Sequence, residues 1–346
     1  MRNVECGMRS VSRKKSALAL ACVCALGACG VAGCKQDKNE IYVYMPDGAP
    51  ALALAGAMAG DTETDGISYR VVDSSSIVAR VTYENETDNA DVCVLPLNSA
   101  AKQLGDGSEY QMLGAVTHGN LFLIAKDGEV QYNAENLSLL KGKTVGVLQL
   151  DKVPGLTFKT VLKKCGLDFN EGAEAQSDKV NLVGMASAKE LGVTEADCYV
   201  LAEPAVSAQA KNGYKIVGDL QSLYGGEAGY PQAVLVAKRT LIENDGEWVR
   251  SFLGSVKDSV AWLETASGAE IVSAVEAHLE DADYETSLKA QILDIEGVKV
   301  RCGVRFEQSL DCAAKANAYL ALARTVNEKL AVLPSENFYC MTDFNT

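Results

Sequence analysis

Between Lys141 and Gly166 the sequence passes from a strand through a loop into a helix, and that order limits the chain to few folds. Thr144-Val145-Gly146-Val147-Leu148 is short, apolar and partly β-branched, the pattern of a parallel strand covered on both faces. Gln149 to Val153 is a polar connection. Pro154 suits a helix start, because the N–H it lacks would have no partner there. Phe158, Val161, Leu162 and Cys165 fall at i, i+3, i+4 and i+7 on one helical face, and Lys163, Lys164 and Gly166 suit its end. The helix start thus lies just past a strand's carboxyl end, where open α/β sheets bind ligands. A plain βα unit of a core shows the same pattern.

The same alternation recurs along the chain. Ile41–Met45 reads as a strand, broken by Pro46-Asp47-Gly48-Ala49-Pro50 before an apolar helix over Ala51–Ala59. Tyr69–Val72 is a second strand, closed by Asp73 and Ser74-Ser75-Ser76, with a helix starting near Ile77; serine before an apolar run is a cap signal. Asp91–Leu95 is a third strand, followed by Pro96-Leu97-Asn98-Ser99 and a short helix to Leu104. Thr117-His118-Gly119-Asn120 leads into the strand Leu121–Ala125. After the central unit come strands over Lys179–Met185 and Asp197–Ala202, then Glu203-Pro204 and a helix across Ala205–Lys211. Tyr214–Leu220 and Gln232–Ala237 are further strands around a glycine-marked loop at Gly225, Gly226 and Gly229. From Gly246 the periodicity turns helical, with Trp248, Phe252, Val256, Val260 and Leu263 on one stripe, and Pro334–Thr346 reads as a tail.

The first 33 residues have the form of an export signal. Arg9, Arg13, Lys14 and Lys15 precede the apolar run Ala17–Leu26, which is short for a membrane span. Val31-Ala32-Gly33-Cys34 resembles a bacterial lipobox, with Cys34 as the lipidation site, Leu26-Gly27-Ala28-Cys29 as a poorer second candidate, and residues 34–40 as a polar tether. The formal charge of −14 argues against nucleic acid as a partner, and 48% hydrophobic content argues against general disorder. Six cysteines follow Cys34, namely Cys93, Cys165, Cys198, Cys302, Cys312 and Cys340, with no CxxC and no zinc-ligand spacing. The first three read as buried thiols. The last three are candidates for pairing, with no pair chosen by the sequence.

No metal or cofactor is expected. Gly142-Lys143-Thr144 is not a P-loop, since Leu137 stands where glycine is required and the motif precedes its strand. No G-x-S-x-G, H-E-x-x-H or G-x-G-x-x-G occurs. Of the two histidines, His278 reads as solvated and His118 as a candidate cleft donor or a structural residue. Glu203 is either a helix-start acid or an acceptor for a ligand amine.

Tyr44 to Ala55, Ala90 to Pro96, Lys141 to Val147 and Leu201-Ala202-Glu203-Pro204-Ala205 occur in an order that resembles ABC-importer solute-binding proteins. The group is the one that includes nitrate, sulfonate and thiamine-precursor binders. The resemblance implies a type II periplasmic-binding-protein fold: two α/β lobes joined by two crossing strands, with the ligand cleft between them. Lobe I would take 41–122 and 236–346 and lobe II 123–235, with Leu121–Ala125 and Gln232–Ala237 as the crossing strands. It implies a monomer without enzyme activity, lipid-anchored on the outer face of the cell membrane, that hands a small polar molecule to ABC permease subunits. An enzyme on the same fold, or a sensor docking to a membrane receptor, are the alternatives. In such an arrangement the strand ends Asp47, Gly48, Ala49, Ser74, Ser75, Ser76, Asn98, Gln149 and Glu203 meet at one cleft, with His118, Asn120 and Tyr230 beside the crossings. The helix starts at Ser74–Ser76 and near Pro154 favour a carboxylate, phosphate or sulfonate, while Tyr44, His118 and Tyr230 suit a planar, heteroaromatic body.

Overall fold

The computed structural model describes residues 40–61, 66–83, 89–126, 128–226 and 229–345. The export signal, the tether and Cys34 lie outside these, apart from residue 40. The chain begins in one sheet with β1 (Ile41–Pro46), then two short helices, α1 (Ala49–Leu52) and α2 (Ala55–Ala59). The single helix expected over Ala51–Ala59 is broken at Leu54, whose φ of −113° and ψ of 3° leave the helical range. β2 (Ile67–Val72), β3 (Val92–Pro96), α3 (Leu97–Leu104) and β4 (Tyr110–Thr117) follow. Ile77–Val81 is a 3-10 turn rather than a full helix.

The chain then enters a second sheet with β5 (Leu121–Ala125), β6 (Thr144–Leu148), α4 (Val153–Lys164), β7 (Phe169–Asn170), β8 (Val180–Met185), β9 (Cys198–Ala202), α5 (Ala205–Ala208), β10 (Lys215–Asp219) and α6 (Leu220–Gly225). It returns to the first sheet with β11 (Ala233–Lys238), continues through α7 (Arg239–Asn244), α8 (Gly246–Trp262), α9 (Gly268–Glu276), α10 (Ala290–Leu293) and α11 (Val298–Arg301), and closes with β12 (Val304–Gln308) and α12 (Ser309–Val326).

The first sheet runs β12-β4-β11-β3-β1-β2 and the second β10-β5-β9-β6-β8-β7. In each, the βα units give parallel pairs (β1 with β2 and β3, β6 with β8 and β9). The strands next to a crossing pair antiparallel, β11 with β3 and β4, and β5 with β9 and β10. The change of sheet falls at His118–Asn120 and between Asp219 and Ala233, so the strands Leu121–Ala125 and Gln232–Ala237 flank the crossings and each pairs within one sheet.

β3 and β6 are apolar without alternation because both faces are covered. α4 is buried over Gly155–Leu162, more than one face, because it packs on its own sheet and also on α12 of the other. Leu156 joins the first sheet's core, while Phe158, Val161 and Leu162 fill the second's. The expected tail is docked, with Phe338, Tyr339, Cys340 and Phe344 buried and Cys340 N donating to Met112 O at 3.0 Å. β4 and β12 had no counterpart in the sequence reading.

Candidate functional site

The carboxyl end of β1 turns at Asp47, whose buried carboxylate accepts from Tyr284 Oη (3.1 Å), Thr286 Oγ1 (2.6 Å) and Ser287 N (2.6 Å). These donors engage both oxygens, so Asp47 holds the 284–287 segment against the strand end. Gly48 and Ala49 open α1 behind it. At the end of β2, Asp73 accepts from Ser75 N at 2.8 Å and from the Ser75 hydroxyl, and Ser76 Oγ donates to Asp73 O at 2.9 Å. Ser74 and Ser75 remain exposed at the tip and Ser76 is half-buried. The Ser75 hydroxyl and N–H hold the Asp73 carboxyl below its ordinary range, with Tyr284 and the positive charge of Lys152 acting the same way. Lys152 comes from the β6–α4 loop, so its charge reaches Asp73 from the other sheet. Gln149, at the start of that loop, is exposed with φ 51°, and its N–H donates to Met185 O at 2.7 Å.

Beside the Asp73 turn stands a charged aromatic group. Arg80 pairs with Glu280, donates from Nη1 to Tyr83 Oη at 2.9 Å, and lies 5.2 Å over the Tyr44 ring. Tyr44 Oη donates to Glu280 Oε1 at 3.2 Å; burial, then the Glu280 charge, raises its pKa.

The crossing residues are held inside the protein. His118 is fully buried, its N–H donating to Gly303 O at 2.9 Å and its Nε2 standing 3.0 Å from Glu307 Oε2, which is also paired with Lys315 through Oε1. Burial, then the Arg305 charge, lowers its pKa to about 4 against the pull of Glu307, so the ring is neutral at pH 7. Asn120 Nδ2 donates to Glu203 O at 3.2 Å, and Asn120 Oδ1 accepts from Gln232 Nε2 at 3.0 Å. Glu203 accepts from Ser207 N (3.0 Å), Ser207 Oγ (2.7 Å) and Arg301 Nε (2.8 Å), and Arg301 Nη2 reaches Ser207 Oγ at 2.9 Å. Gly119, at φ +74°, could not carry a Cβ, which would fall 2.7 Å from Gln221 Nε2 and 2.8 Å from Tyr230.

Tyr230 is buried and stacked on Tyr319 at 5.1 Å, and Tyr319 Oη lies 2.8 Å from Thr157 Oγ1 of α4. Asn98 donates to Leu330 O at 3.0 Å. The structure thus leaves the Asp73–Ser76 turn and the Gln149–Lys152 loop at the surface, with the Lys152 charge acting on Asp73. It gives Asp47, Asn98, His118, Asn120, Glu203 and Tyr230 to the framework, where the strand-end pattern had them line the cleft. His278, read as solvated, is half-buried, with Nδ1 2.8 Å from Ala274 O and Nε2 3.2 Å from Asp61 Oδ2. The sequence reading missed Lys152, Arg80, Glu280, Tyr284 and Arg301. Only Lys152, three residues from Gln149, had a nearby signal.

Two cavities are lined by residues of one sheet's surroundings each. One of about 360 Å3 lies between α2, α8 and β2, and one of about 870 Å3 lies along β8, reaching Gln149. Cys93, Cys165, Cys198, Cys302, Cys312 and Cys340 are free thiols, so the candidate pairs among the last three are not formed. Among the described residues, no group of three or more His, Cys, Asp or Glu is placed to hold a metal, and no helix is long and apolar enough to cross a membrane.

A family model described as NMT1/THI5 like matches residues 66–265. No curated protein matches the chain. Among solved structures, the chain is similar to an ABC transporter protein from Parabacteroides distasonis, at 19% identity and TM-score 0.66, covering 87% of this chain and 99% of that one. It is also similar to the periplasmic aliphatic sulphonate binding protein SsuA from Escherichia coli, at 12% identity and TM-score 0.59, covering 86% and 93%. A DSZB mutant in complex with biphenyl-2-sulfinic acid shares the fold at 14% identity and TM-score 0.55, covering 86% and 95%.

Proposed function

The chain belongs to the NMT1/THI5-like family, and from that premise we propose that it is the solute-binding component of an ABC importer. In this reading a small polar molecule is caught between two lobes, 41–122 with 236–346 and 123–235. The changes of sheet at 118–120 and between 219 and 233 fall close to these limits, with 121–122 pairing in the second sheet and 233–235 in the first. The observation that carries the reading is the pair of mixed α/β sheets between which the chain crosses twice, with the charge of Lys152 on the second acting on the Asp73 turn of the first. Charges of both signs and the exposed Ser74 and Ser75 lie there at the surface rather than in a core.

Lys152 and the start of α4 favour an acidic group on the solute. The Tyr44–Arg80–Glu280 group offers a flat wall for a planar body. Closure follows if the solute binds the closed arrangement better than the open one. The protein then releases the molecule unchanged to permease subunits, acting as a monomer held at the outer membrane face through Cys34.

Mass spectrometry of small molecules released from the purified protein would identify the solute, and calorimetry with that compound tests the site. Lys152→Ala and Ser75→Ala should each weaken binding, Lys152→Ala by about tenfold or more for an acidic solute. Unchanged affinity in both would remove the site. Repeated turnover of the bound compound would replace the transport reading with an enzymatic one.

A further inference from the structure

β8 is an edge strand over most of its length. Its outer neighbour β7 pairs only with Val180 and Asn181, so Leu182–Met185 have β6 on one side and no strand on the other among the described residues. Alternate residues of a parallel strand send both backbone groups to the same side. Val180 N donates outward to Asp168 O at 3.0 Å, while Asn181 N donates inward to Lys143 O at 3.0 Å and Met185 O accepts inward from Gln149 N. The N–H and C=O of Gly184 and the C=O of Leu182 therefore point outward. The next outward N–H, that of Ala186, is capped by Glu190 Oε1 at 3.1 Å. Gly184 is exposed, and Leu182-Val183-Gly184-Met185 has none of the lysine or proline that usually guards an edge.

This edge lines the groove of about 870 Å3. The groove runs from Thr144 and Asn181 to Gln149 and Ala186, the length of about five extended residues. Its rim carries Asp151, Glu171 and Glu195 against one lysine, Lys152. Among these acids only Glu171 is in an ion pair within the described residues, with Lys159 at 2.8 Å.

We propose that the groove takes an extended, lysine- or arginine-bearing segment of a partner protein, added as a strand against β8. Backbone bonds to Gly184 set its register, and the rim carboxylates select its charge. The groove shares Gln149 and Lys152 with the site proposed for the solute, but the claim rests on the β8 edge and its test reads Gly184, so it does not depend on the solute.

The test uses the full chain, isotope-labelled for amide exchange, and a capped pentapeptide of alternating lysine and valine. Saturable binding below about 1 mM is expected, with exchange at the Gly184 amide slowed in the complex. Binding should be lost when alternate peptide nitrogens are methylated, and lost or much weakened when glutamate replaces lysine. Asp151→Asn/Glu195→Gln should weaken it several-fold, and Gly184→Pro should abolish it. If the proline variant fails to fold, the methylated peptide decides the backbone claim. No saturable binding by about 1 mM, equal binding of the methylated peptide, or unchanged Gly184 exchange in the complex would each overturn the proposal.

Discussion

Removing Arg301 should expose how firmly the two sheets are tied. Its guanidinium reaches from α11 to Glu203 at the end of β9; the Glu203 side chain is 0% exposed and that of Arg301 30%. Deleting one partner of a buried pair costs about 3–5 kcal/mol, because the other charge is left without compensation. Here Glu203 keeps the Ser207 N–H and hydroxyl, and Arg301 is partly in water. Arg301→Met should therefore cost about 2–3 kcal/mol at pH 7. Glu203→Gln should cost about 1–2 kcal/mol, since Arg301 can turn to solvent. In the double variant no uncompensated buried charge remains, and its cost should fall short of the sum by about 1–2 kcal/mol. Urea unfolding of the four proteins, read as midpoint and slope, measures this coupling. Additivity within about 0.5 kcal/mol would show that the pair does not act as a unit and would refute the reasoning.

Tyr319→Phe strips the hydroxyl from the buried contact with Thr157 and should cost about 1–2 kcal/mol in urea unfolding. Adding Thr157→Val should recover part of that loss, and no recovery would mean the two hydroxyls are not partners. His118 has a folded pKa lowered to about 4, below an unfolded value of about 6.5. Its neutral form is the folded one, so its stabilisation is complete above the unfolded pKa and is lost as pH falls toward and through the folded one. Between pH 7 and 5 this amounts to about 2 kcal/mol. His118→Gln should lose correspondingly less stability over that interval, and equal losses in the two proteins would contradict the assignment. Cys34→Ala should abolish lipid labelling in cells; persistent labelling would move the anchor to Cys29 or remove it.

The strands that could be read directly were those buried on both faces, such as Val92–Pro96 and Thr144–Leu148, where an unbroken apolar run has little other use. β4 escaped because Gly114 interrupts its run, and the reason for that glycine lies far along the chain: a Cβ there would meet Glu307 O at 2.5 Å. The site was half legible for a related reason. A polar residue at a strand end looks the same whether it faces a solute or another part of the backbone. Ser74–Ser76 and Gln149 stayed at the surface. His118, Asn120 and Glu203 instead found Glu307, Gln232 and Arg301, at separations of 189, 112 and 98 residues. No local pattern announces partners at that distance.

The strand order also fixes a timetable for synthesis. Every strand of the second sheet lies between Leu121 and Asp219, so that sheet can pair as soon as this stretch has left the ribosome. The first sheet cannot. β3 and β4, neighbours in sequence, do not touch, because β11 lies between them. Until residue 238 has emerged, the N-terminal strands hold two unpaired edges at what becomes the middle of their sheet, and β12 completes its border only after residue 308. The N-terminal strands are therefore made first and finished last. In that interval they are the part of the nascent chain that most needs protection from pairing with a neighbour.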